Sequence, residues 1–124
     1  MSAIKDGRLP IELGGKTRHL LFSLNVLDDF QERFGDISRL EEVLSDPKSS
    51  TKTLRWLLTL MLNEGQEDGE PELTERQVGR MIPTGDLMDA ESALFKAFLL
   101  GTSGTTEPPK ADKSDDENGD GEKN

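Results

Sequence analysis

The sequence predicts a mainly α-helical, small α+β fold: an N-terminal β-hairpin, about five helices after it, and a disordered acidic C-terminal tail. Three observations predict it. Apolar and polar residues alternate only near the N-terminus, on either side of Gly14 and Gly15. From Val26 to Leu100 the apolar residues recur at helical spacing, in segments bounded by capping residues, glycines and prolines. From Thr102 onward no large apolar residue occurs, so nothing there can offset the entropy of ordering the chain. A single domain is therefore expected over residues 1–101 and the tail over 102–124.

Leu9, Ile11 and Leu13 alternate with Pro10 and Glu12, and "TRHLLF" supplies a second strand. A two-residue Gly14-Gly15 turn would pair Leu13 with Lys16 and Ile11 with Arg18, placing two cations on the apolar face. A three-residue turn that includes Lys16 pairs Ile11 with His19 and Leu9 with Leu21, and burial favours this second register. Pro10 marks the first strand as an edge. Asn25 is the expected cap of a helix over 26–34, with Val26, Leu27, Phe30 and Phe34 on its apolar side and Gly35 as its left-handed terminator. Asp36 starts a short helix with the stripe Ile37, Leu40, Val43 and Leu44, which ends before Pro47.

Ser50 or Thr51 then opens a helix over about 52–63, "LRWLLTLML", apolar around much of its circumference and hence central or partner-covering. Burying its Trp56 would contribute at most about 5 kcal/mol, from roughly 25 cal/mol per Å² over about 200 Å². Thr74 and Gln77 form a capping box, with Leu73 and Val78 as its hydrophobic staple, so a helix starts at Glu75 and closes at Pro83. A last helix, from Leu87 to Leu100, ends at Gly101 and is expected to pack on the tryptophan helix.

Composition narrows the function. The 124 residues suffice for one small core, and the 32% of hydrophobic residues lie mostly between Leu9 and Leu100. A net charge of −10 and a pI near 4.5 argue against direct nucleic-acid binding. The absence of cysteine removes disulfides and thiolate metal sites, and no run is long enough to span a membrane or form a leader. A soluble intracellular protein is expected.

Candidate chemistry is sparse. Gly15, Lys16 and Thr17 read as the end of a phosphate-binding loop, but Pro10 stands where the first glycine of G-x-x-x-x-G-K-[ST] belongs and removes a backbone donor. His19 is the single histidine and lacks partners at catalytic or metal-binding spacing, so a structural role is expected. Asp28, Asp29 and Glu32 suit a solvated helix face near the positive end of its dipole. Asp116, Asn118, Asp120 and Gly121 match half of a calcium loop, without its closing glutamate. No catalytic residue, cofactor or metal is expected.

Taken in order, "IELGGKTRHLLFSLNVLDDFQERFGDISRLEEVL", "LRWLLTLMLNEG" and "LTERQVGRMI" resemble the tail assembly chaperones of long-tailed, siphophage-like bacteriophages and related prophage elements. The landmarks are the Gly14 to Lys16 hairpin, Leu20 to Leu27, the Phe34-Gly35 helix end, Leu54 to Leu62, and Leu73 to Ile82. Where that family commonly carries a glutamate pair before the aromatic-glycine end, this chain has Gln31, Glu32 and Arg33. The resemblance implies a non-enzymatic protein of the host cytoplasm, absent from the mature virion. It would bind the tape measure protein, keep it soluble and recruit major tail protein. In that family a programmed frameshift often makes a second, longer product, and this sequence resembles the shorter of the two. The partner surface is expected to include Trp56, Leu57, Leu60 and Met61. Self-association stays open, as do two other roles: a structural tail or connector component, and an acidic DNA-mimic inhibitor.

Overall fold

The structure is a computed structural model that describes residues 7–105. Strands β1 (Arg8–Leu13) and β2 (Lys16–Leu21) form the expected antiparallel hairpin, followed by α1 (Leu24–Phe34), α2 (Leu40–Ser45), α3 (Ser50–Glu64), α4 (Glu75–Met81) and α5 (Leu87–Ser103). Single 3-10 turns, Ile37–Arg39 and Thr84–Asp86, lead into α2 and α5. The fold class is the predicted one: a hairpin with five helices.

The hairpin register is not the expected one. Leu13 pairs with Lys16, Ile11 with Arg18 and Leu9 with Leu20, so the loop is the two-residue Gly14-Gly15 turn. Both glycines have positive φ, 63° and 82°, as a type I′ turn requires. The cations that argued against this register leave the apolar face at their tips. Arg18 donates from Nε to the Leu13 carbonyl at 3.2 Å, and Lys16 Nζ reaches Glu70 at 2.8 Å. Leu9, Leu13 and Leu20 stay buried on that face.

α1 begins two residues before its predicted start, because Ser23 rather than Asn25 is the cap. Ser23 Oγ accepts from the Val26 amide at 3.4 Å and donates to Glu64 at the end of α3 at 2.5 Å. Asn25 also turns to Glu64, donating from Nδ2 at 3.3 Å. Gly35 ends the helix at positive φ as expected, though its ψ of −143° lies outside the left-handed helical region. Asp36 caps the following turn, its carboxylate accepting from the Ser38 amide at 2.9 Å.

α3 is central. It packs on β2, α1, α2, α4 and α5 and buries Leu54, Leu57, Leu58, Met61 and Leu62. It begins at Ser50, two residues earlier than predicted. α4 has the predicted capping box, the Thr74 side chain accepting from the Gln77 amide at 3.1 Å and the Gln77 side chain from the Thr74 amide at 2.8 Å.

α5 runs through Gly101 to Ser103 and ends at Gly104 in the left-handed conformation. Gly101 is therefore a packing residue, since a Cβ there would stand 2.6 Å from the carbonyl oxygen of Phe22. The helix packs on α3 as expected, but lies mainly across the hairpin. The folded part accordingly extends past the predicted boundary at residue 101, while the rest of the predicted tail, with its half calcium loop, lies outside the described residues.

Candidate partner-binding surfaces

The Gly-Gly-Lys-Thr segment is a hairpin turn. Lys16 opens β2, and its ammonium is hydrogen-bonded to Glu70 in the loop between α3 and α4, which holds the Glu70 carboxyl below its ordinary pKa. The turn also packs on α4, where a Cβ on Gly14 would stand 2.7 Å from Met81 Sδ. His19 is partly buried in β2, and its carbonyl abuts Gly65. Asp28 and Glu32 are exposed on α1 and Asp29 is half-buried. Among the described residues no group of three or more His, Asp or Glu is placed to hold a metal ion, and no helix is long and apolar enough to cross a membrane.

The four residues expected to bind a partner do not share a surface. Leu57 and Met61, at 1% and 0% exposure, belong to the core of this chain. Only Trp56 and Leu60, one helical turn apart on the neighbouring arc of α3, keep exposed area. Trp56 meets Phe34 edge-on at 5.7 Å, and the guanidinium of Arg33 lies 4.4 Å from its ring centre. Part of the indole is thus already covered by the end of α1. A partner meeting this fold can touch Trp56 and Leu60 and cannot reach the other two.

A second surface lies on the opposite arc of α3. Leu54 and Leu58 of α3, Ile82 after α4 and Leu87 at the start of α5 line an apolar groove of about 370 Å³. Arg55, Arg76 and Arg80 also line it. Beyond Leu54 and Leu87 lies a smaller recess of about 60 Å³, lined by Leu44 and Met88 among others. Leu87 and Met88 are 41% and 79% exposed, so apolar surface continues out of the groove onto the α5 start.

α4 is held in place for this by Asn63. Its Nδ2 donates to the Leu73 carbonyl at 2.9 Å, and its Oδ1 accepts from the Leu73 amide at 2.8 Å. This side chain satisfies both backbone groups of the residue just before the α4 cap. Gly79 lets the Arg55 stem cross α4 closely, since a Cβ there would stand 3.0 Å from Arg55 Cδ. Arg55 Nε lies 3.7 Å from Glu75, too long for a hydrogen bond, and is buried with no hydrogen-bond acceptor among the described residues. The sequence carried a partial signal for this site in Arg76 and Arg80, four apart in "RQVGR" and so on one side of α4.

The chain matches no family model, no curated protein and no solved structure.

Proposed function

We propose that this protein is a tail assembly chaperone of a long-tailed bacteriophage or prophage element. In the host cytoplasm it binds the tape measure protein, keeps it soluble and presents it to major tail protein, with no catalytic step of its own. The observation that supports this is where the apolar groove lies. Its walls come from "LRWLLTLML" and "LTERQVGRMI", two of the three segments that carry the resemblance, through Leu54, Leu58, Gly79 and Ile82. An open apolar groove between helices suits an apolar helical client.

Co-expression with the tape measure protein of the same gene cluster tests the proposal. The expected result is a tape measure protein that is insoluble alone and co-purifies with this chain in soluble form. A tape measure protein that stays insoluble, or this chain found in stoichiometric amounts in purified particles, would overturn it. In the gene, a slippery heptamer near the end with an overlapping open frame would support the longer frameshifted product.

A further inference from the structure

The lining of the groove is charged with one sign only. Three arginines and no carboxylate stand among its lining residues, in a chain with 25 acidic and 15 basic side chains. Arg76 and Arg80 are exposed, and neither is ion-paired to a carboxylate among the described residues. Glu75 is ion-paired with Arg55 at 3.7 Å without hydrogen-bonding it, Glu91 lines only the smaller recess, and Asp86 shares with Arg80 the lining of another recess, so Arg76 and Arg80 supply the charge open to a partner. A basic patch against the sign of the whole molecule attracts acidic partners locally and repels basic ones.

The walls are helices whose backbone groups are internally bonded, so an extended peptide would find no ladder to join. A helix satisfies its own backbone and needs only side-chain complementarity. Residues 106–124 are acidic but contain no large apolar side chain to fill the floor formed by Leu54, Leu58, Ile82 and Leu87.

We infer that the groove between α3, α4 and the start of α5 docks an amphipathic helix of a partner protein, whose apolar stripe is flanked by glutamates or aspartates that meet Arg76 and Arg80. Apolar side chains of that helix lie against Ile82 and the exposed Leu87, above Leu54 and Leu58, which stay in the core of this chain, and its carboxylates lie along α4. Only the partner's name, the tape measure protein, rests on the chaperone proposal; the chemistry of the docked helix comes from the groove.

The test uses the full chain and two designed helical peptides with the same leucine stripe, one flanked by glutamates and one by lysines, followed through backbone amide NMR shifts. The glutamate peptide is expected to shift Leu58, Gly79, Ile82 and Leu87, to leave the Trp56 indole unmoved, and to bind about tenfold more tightly than the lysine peptide, as two partly exposed charge pairs allow. Its affinity should fall with salt. Arg76→Glu with Arg80→Glu, both at exposed positions, should keep the circular dichroism of the parent and reverse the preference. Equal binding of the two peptides, no binding by either, or shifts centred on Trp56 and Leu60 would overturn the inference. So would a free 106–124 peptide that shifts the groove amides more strongly than the glutamate peptide, which would assign the groove to the chain's own terminus. Groove binding without a tape measure complex would count against the chaperone proposal alone. A tape measure complex unaffected by the double variant would count against the groove alone.

Discussion

At Gly65 the chain leaves α3 against the backbone of His19, so closely that a Cβ would overlap the carbonyl oxygen and stand 2.8 Å from the carbonyl carbon. The φ and ψ of Gly65, −89° and 5°, are open to any residue. The glycine is required by its neighbour, and nothing local in "NEGQ" shows that. Gly65→Ala should therefore destabilise the fold by about 1–3 kcal/mol, the range for overpacking a filled site. In a domain of this size each kcal/mol lowers the melting temperature by about 4–8 °C. Gly85→Ala is the control, because no atom lies within 4 Å of the Cβ it would gain, and it should stay within about 0.5 kcal/mol of the parent. Equal melting temperatures for the two variants would show that the hairpin and α3 can separate at little cost.

Local chemistry made several elements legible. The α4 start follows from Thr74 and Gln77, three residues apart in one capping box, and the α1 end from Gly35 at positive φ. What stayed hidden depended on distant partners. Glu64 accepts from both Ser23 and Asn25, so the sequence alone could not rank the two as caps. The Gly14-Gly15 register is hidden for the same reason, because Lys16 has its partner, Glu70, across a loop. The seven-residue α4 is too short to persist without support and takes it from Asn63 as well as from its own cap. Asn63→Ala should cost about 1–3 kcal/mol, because it strips two partly buried backbone groups of their partner. Thr74→Ala should cost about 1 kcal/mol. Thermal melts give that order, and hydrogen exchange at the Val78 amide, which donates to Thr74 O at 3.0 Å, should accelerate in both variants. A larger loss for Thr74→Ala would place the support of α4 in its cap.

For the whole molecule, the sequence showed how wide the apolar arc of α3 is but not which parts its neighbours would cover. Leu57 and Met61 thus fall in the core although the sequence leaves them open to a partner, and the groove is assembled from three helices, so no single segment shows it whole. The pH dependence of stability is likewise a property of the whole chain. With a net charge of −10 and a pI near 4.5, acidification from pH 7 toward 5 relieves self-repulsion. Particular carboxylates act in the opposite sense. Glu70 is held below its ordinary pKa first by its hydrogen bond from Lys16, Glu42 by its bond from Arg39, and Asp36 by its bonds with Ser38. Each binds its proton less readily folded than unfolded. The stability each contributes is complete above the unfolded pKa and is lost as pH falls through the lower folded one. Arg39 is shifted upward by Glu42, so its contribution is complete throughout this range. The melting temperature should therefore stay level or rise slightly from pH 7 to 5, then fall below about pH 4, where carboxylates take up protons. Lys16→Met should return the Glu70 carboxyl toward its ordinary titration, read by carboxyl NMR, and make the acid-side fall shallower. A melting temperature that declines steadily between pH 7 and 5 would mean that groups other than these control the acid response.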